Sequence, residues 1–193
     1  MRTHLVLAAL LISAVTLVAQ RERIVEVGVE GRIAPSGEPG VPLILQGTVR
    51  TAAGQPASGI IVYAYQTDAK GLYPSAPGVQ GTAARHGRLR AWAKTDAQGT
   101  YRFVTIRPAG YPNTDIPEHI HLHVIEPGRC TYYIDDVVFE DDPRLTPRQR
   151  VAHDRGRGGS GVIKPTRDSS GTWLARRDIR LGAGISDYAQ CGR

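Results

Sequence analysis

Residues 117–124 read Pro117-Glu118-His119-Ile120-His121-Leu122-His123-Val124. Three imidazoles alternate with three apolar side chains. A strand throws successive side chains to opposite faces, so the segment predicts a half-buried β-strand with imidazoles on one face and core on the other. On a helix, residues two apart diverge and the alternation has no purpose. Two imidazoles two apart on one strand face can both reach a single metal ion. A strand of this kind is also an ordinary way for a half-buried sheet to present polar residues outward, so the remaining ligands have to come from elsewhere.

Working outward, the neighbouring segments read as strands too. Leu43 to Val49, Ile60 to Gln66, Arg90 to Lys94, Thr100 to Thr105 and Ile134 to Phe139 are short runs rich in β-branched and aromatic residues. Ala53-Gly54-Gln55-Pro56 marks a turn, and Asp96-Ala97-Gln98-Gly99 a hairpin connection. The 22 Gly and 13 Pro leave little room for long helices, and there is no heptad, collagen or internal repeat. The expected fold is all-β: an antiparallel β-sandwich of short strands with long loops and an irregular C-terminal extension. In that extension Thr146 to His153 reads as a short helix, Arg155 to Gly161 as a loop, and Trp173 to Leu181 as a closing strand.

The 193 residues suffice for one domain with its own core. Leu5 to Ala19 is almost wholly apolar, follows Arg2 and ends in a small residue. It is too short for a comfortable membrane span and reads as a signal peptide over residues 1–19, with an uncleaved anchor as the competing reading. Residues 20–41 read as a lead-in segment and residues 42–193 as the domain. The expected location is therefore secreted or periplasmic, with no membrane contact after cleavage. Cys130 and Cys191 are either a disulfide tying the chain end to the sandwich or two unpaired thiols. The formal charge of +6 lies largely among Arg144 to Arg180. Those arginines are scattered among Gly, Ser and Pro without a stacking pattern of aromatics, so a solvated surface is expected rather than a nucleic-acid interface.

Several side chains are candidates to complete a metal site. His86 and His153 lie in poorly patterned segments. A triad of two His and a carboxylate would draw on Glu118, Asp135 or Asp136, although Glu118 is adjacent to His119 and should point the other way. Phenolates are the further option. A hard ferric ion stabilises the deprotonated form of its ligands, so a Tyr with a free pKa of about 10 binds as tyrosinate at neutral pH.

Thr95-Asp96-Ala97-Gln98-Gly99-Thr100-Tyr101-Arg102-Phe103, continuing to Arg107-Pro108-Ala109-Gly110-Tyr111-Pro112 and then to Pro117-Glu118-His119-Ile120-His121, resembles the core signature of the intradiol ring-cleavage dioxygenases. Asp68 to Tyr73 upstream and Phe139 to Pro143 downstream extend the resemblance over about residues 43–143. The order Tyr, Tyr, His-x-His is more specific than any of its parts. The resemblance implies an Fe(III) site in which Tyr73 and His121 are equatorial ligands and Tyr111 and His119 axial ones. It implies insertion of O2 into a catechol-type diol, with ring opening between the hydroxyls to a muconate-type diacid. Tyr111 would leave the metal and accept a substrate proton. Arg107 either orients an anionic group of the substrate or anchors its loop, and Asp136 is a candidate substrate contact. Tyr101 matches a strand Tyr that is not a ligand, and Tyr63 and Tyr65 are expected to pack on the sheet. Partners would be the aromatic diol and O2, with homo-oligomerisation left open. Ile116 replaces a family Arg, Glu118 a small residue and Asp136 a family Gln. The alternatives are a non-catalytic transthyretin-like binding module and a metal-dependent hydrolase on the same ligands.

Overall fold

The computed structural model describes residues 27–191. The signal peptide expected over residues 1–19 lies outside the described residues. The described residues form eleven strands: β1 Glu30–Arg32, β2 Pro42–Arg50, β3 Ile61–Gln66, β4 Arg90–Lys94, β5 Thr100–Ile106, β6 His119–Glu126, β7 Cys130–Phe139, β8 Val162–Ile163, β9 Thr166–Arg167, β10 Trp173–Arg176 and β11 Ile179–Arg180. They make two sheets, one ordered β1-β5-β2-β10-β9 with β11 also on β2, the other β4-β3-β6-β7-β8.

The core lies between the sheets and follows from alternation. Leu43, Leu45 and Val49 of β2 and Tyr101 and Phe103 of β5 face Val62 and Ala64 of β3, Ile120, Leu122 and Val124 of β6 and Ile134 of β7, all fully buried. The apolar half of the His strand is thus the core half, as its alternation predicts. The central ladders β2·β5, β3·β4, β3·β6 and β6·β7 are antiparallel. The outer strands differ: β1 joins β5, β10 and β11 join β2, and β8 joins β7, all in parallel. Parallel pairing needs a long crossover, which the irregular connections and the C-terminal extension supply.

Two expectations change. The lead-in segment is part of the sandwich from residue 30 on, because β1 pairs with β5 and Ile33 is buried beside it. The single closing strand over Trp173 to Leu181 is two strands, broken at Arg177 and Asp178. At the break Tyr101 Oη donates to the Arg177 carbonyl at 2.6 Å, and that carbonyl lies 1.8 Å from where a Cβ on Gly47 would sit. The Asp178 carboxylate accepts from the Thr48 backbone N–H at 2.8 Å, replacing a ladder acceptor. Only glycine at residue 47 admits this bulged approach.

A single-turn helix, α1, spans Thr82–Arg85, and the helix expected over Thr146 to His153 is present as α2, Pro147–Asp154. Thr146 caps α2 in a capping box with Gln149. Cys130 and Cys191 are joined as a disulfide, which ties the chain end to the start of β7. No described helix is long and apolar enough to cross a membrane.

Candidate metal centre

Two elements bring the expected ligands together. β6 holds His119 and His121 on its outward face, with His123 one pleat further on. Tyr73 and Tyr111 come from two loops that touch behind them. A Cβ on Gly71, whose φ is +77°, would lie 2.2 Å from the Gly110 carbonyl, so glycine at residue 71 is needed for the loops to meet.

The four terminal atoms converge. Tyr73 Oη lies 2.7 Å from Tyr111 Oη and 2.8 Å from His121 Nε2. Tyr111 Oη lies 3.2 Å from His119 Nε2 and 3.5 Å from His121 Nε2. The far nitrogens are held from behind. His119 Nδ1 meets the Pro117 carbonyl at 2.7 Å, and His121 Nδ1 meets Asp136 Oδ1 at 2.8 Å. Carbonyl and carboxylate oxygens only accept, so both Nδ1 atoms carry the proton and both Nε2 lone pairs face the phenols.

Three short contacts, Tyr73–His121, Tyr111–His119 and Tyr73–Tyr111, therefore share only two phenolic protons. A cation in the middle would replace both and satisfy all four donors at once. Metal bonds of about 2 Å put neighbouring donors about 3 Å apart, the spacing these atoms already have. Two imidazoles and two phenols are a donor set that fits ferric iron.

Without a metal, burial keeps Tyr73 a phenol and leaves the His119 lone pair free. Burial, joined by the Tyr111 hydroxyl and nearby negative charge, raises the Tyr73 phenol well above its usual range. Burial lowers His119, only partly opposed by its bond to Pro117, and so keeps the lone pair available. Burial pushes the Asp136 carboxyl up, but His121, Tyr133 and His119 together hold it below the usual carboxylate range. Asp136 is therefore an anion behind His121.

The ligand atoms of His119, His121 and Asp136 lie within 4.8 Å of one another, which is the carboxylate triad left open above. The hydrogen bonds decide against it. Asp136 Oδ1 sits on the Nδ1 edge of His121 and also accepts from Tyr133, away from the phenols. Asp136 is thus a support for a ligand rather than the substrate contact expected. Its placement depends on a bulge. Tyr133 pairs with His123 and Val138 with His119, an odd separation that β7 absorbs with an extra residue opposite His121.

Arg107 does not reach the site either. Its guanidinium bonds Glu118 at 2.7 Å and Asp141 at 2.7 and 2.8 Å, and it lies between the rings of Phe139 and Trp173. Glu118 points away from the ligands, as its adjacency to His119 requires. Asp142 accepts from the Glu118 and Arg144 backbone N–H groups and so pins the entry to β6.

Sequence reasoning missed two neighbours. Tyr65 stacks on His121 at 4.4 Å, and His86 stacks on Tyr65 at 3.8 Å. Tyr65 faces His121 through the β3·β6 register, which joins segments more than fifty residues apart and has no local signal. His86 arrives on the loop after the first helix.

A family model described as dioxygenase matches residues 30–157. The protocatechuate 3,4-dioxygenase beta chain of Burkholderia cepacia is 31% identical over 125 residues, 57% of this chain and 50% of that one. Catechol 1,2-dioxygenase 1 of Acinetobacter lwoffii is 37% identical over 71 residues, 36% of this chain and 22% of that one. The match thus spans half or less of the length of these relatives. Among solved structures, catechol 1,2-dioxygenase from Pseudomonas arvilla C-1 has the same fold, with a TM-score of 0.61 at 23% identity over 84% of this chain and 59% of that one. The dioxygenase domain of a carbohydrate-binding fusion from Streptomyces sp. SirexAA-E matches with a TM-score of 0.57 at 24% identity, over 78% and 85% of the two chains. The family model covers more than half of the sequence and includes all four converging residues, and the chain belongs to the intradiol ring-cleavage dioxygenase family.

Proposed function

We propose that this domain is a non-haem Fe(III)-dependent dioxygenase that inserts O2 into a catechol-type aromatic diol, opening the ring between the hydroxyls to a muconate-type diacid. The observation that carries the reading is the convergence of Tyr73 Oη, Tyr111 Oη, His119 Nε2 and His121 Nε2 at 2.7–3.5 Å. Ferric iron held by these residues would serve as a Lewis acid and a template for the two diol oxygens.

The chain's own residues divide the remaining work. His119 and His121 are fixed by their strand and by Pro117 and Asp136, so they keep their places through turnover. Tyr111 rides on the loop between β5 and β6 rather than on a strand. Its Oη, 3.2 Å from His119 Nε2, is the base that takes a proton from a diol hydroxyl. Leu72 and Ile116, beside the two tyrosine loops, are exposed apolar side chains that suit an aromatic ring. Ile116 brings no charge where the resembled enzymes have Arg, while the Arg144 guanidinium lies 3.4 Å from the Ile116 carbonyl. The leader-like segment and the Cys130–Cys191 disulfide support an exported protein working in an oxidising compartment.

The test is oxygen uptake by iron-reconstituted protein with catechol, hydroxyquinol and protocatechuate, with identification of the product. The reading expects uptake and a ring-opened diacid. Iron bound in full with no uptake on any of the three would overturn it.

A further inference from the structure

Beside the iron ligands, the outward face of β3, β4 and β6 carries a line of aromatic rings that the ring-opening reaction does not use. Tyr65 stacks on His121 with centroids 4.4 Å apart and planes at 25°. Tyr63 stacks on Tyr65 at 5.7 Å and 30°. Trp92 stacks on Tyr63 at 4.8 Å and 29°. The line is set by register, because Tyr65 lies opposite His121, and Tyr63 lies opposite Trp92. Its far end emerges: Trp92 is 37% exposed, whereas Tyr63 is 8% exposed. Packing alone gives no reason for the line to begin on a metal ligand and end in solvent.

We propose that Tyr65, Tyr63 and Trp92 form an electron relay between His121 and the protein surface. Electron tunnelling falls off exponentially with distance, so short hops between touching rings outrun one long jump. Tyrosine and tryptophan are the side chains most readily oxidised by one electron, and all three links are of these types. A tyrosine gives up its electron readily only if its phenolic proton has somewhere to go. Tyr63 has such a place, because its Oη lies 2.8 Å from His86 Nδ1. Tyr63 is therefore the resting point of the relay, and Tyr65 the bridge to the site.

The step balances. A peroxyl radical in the O2-reacting pocket takes an electron along Tyr65 from Tyr63 and a proton from solvent and becomes a hydroperoxide, while the Tyr63 proton moves to His86. Tyr63 recovers its electron through Trp92 and its proton from His86. Trp92 recovers its electron from a phenolic reductant in solution, which loses one electron and one proton and leaves as a phenoxyl radical. The relay thus drains stray oxidising equivalents away from the ligands and gives the domain a second redox-active position at Trp92. The source of those equivalents rests on the function proposed above; the relay itself does not.

Flash-quench oxidation of the metal-free protein tests the relay alone. A ruthenium(III) polypyridyl complex in solution, itself reduced to ruthenium(II), oxidises the exposed Trp92. The expected record is a tryptophan radical signal that decays as a tyrosyl radical signal grows. In Tyr63→Phe, which keeps the ring and its stacking, that growth should be lost and the tryptophan radical should persist. In Trp92→Phe the initial tryptophan signal should shrink. His86→Gln should slow the tyrosyl growth and change its solvent deuterium isotope effect. Absence of tyrosyl growth in the unaltered protein, or growth that is the same in Tyr63→Phe, would overturn the relay. Either result leaves the iron reading standing, whereas failure to bind iron would leave the relay standing.

Discussion

The Asp136 carboxylate accepts the Nδ1 proton of His121 at 2.8 Å, and this single bond fixes the ring so that Nε2 faces Tyr73 and Tyr111. Removing it frees the ring and takes a negative charge from behind a metal ligand. Asp136→Ala is expected to weaken iron binding about 10–100-fold, the usual cost of losing such a support. Competition with a chelator measures it. An unchanged affinity would mean that Asp136 is not a support for His121.

The imidazoles make the metal-free fold sensitive to acid. His86, His119 and His123 are all lowered from the ordinary value of 6.5, each chiefly by burial. The unfolded chain takes up protons near 6.5 that the folded chain refuses, so it binds more protons there. Stability must therefore fall as pH drops below that value and level off above it. Thermal denaturation of metal-free protein from about pH 8 to about pH 5 should show a falling melting temperature on the acid side. A flat profile would contradict the burial of these rings.

Gly71 couples the two tyrosine loops. Gly71→Ala would place a methyl 2.2 Å from the Gly110 carbonyl at a residue with φ +77°. The expected result is a loss of about 1–3 kcal/mol in stability. The loops must also part, so iron binding should weaken in the same variant. Denaturant titration and chelator competition together check this; an intact iron affinity would show that the loops do not position the ligands jointly.

The disulfide closes a loop with a sequence separation of 61 between Cys130 and Cys191. The double replacement Cys130→Ser, Cys191→Ser is expected to cost about 2–4 kcal/mol, mostly by freeing the unfolded chain. Tyr188 would still hold the chain end through its hydroxyl bond to Glu126 at 2.8 Å. Comparison of denaturation midpoints under matched conditions tests this; equal midpoints would contradict it.

Much of the architecture could be read along the chain. The alternation in β6 placed Ile120, Leu122 and Val124 in the core and the imidazoles outward, and both are found. The four converging residues were named from the resemblance, because nothing in the spacing of Tyr73 and Tyr111 points to His119. What escaped depends on long-range register. Asp136 comes behind His121 only through the bulge in β7, which regular alternation does not show. The stack of Tyr65 on His121 comes from a pairing of distant strands. The break at Arg177 exists because the Tyr101 hydroxyl and Gly47, both remote in sequence, shape it. Of the two readings of Arg107, the structure supports the loop anchor, because Glu118 and Asp141 both close on it.

Visible absorption of the iron-loaded protein, compared with Tyr73→Phe and Tyr111→Phe, asks whether these two phenols bind ferric iron. Tyrosinate-to-ferric charge transfer should colour the unaltered protein red to burgundy, with tyrosinate vibrations in the resonance Raman spectrum. Each variant should lose its own share of that band and of those vibrations. An iron-loaded protein without colour, or a spectrum identical in both variants, would contradict a site built from Tyr73, Tyr111, His119 and His121.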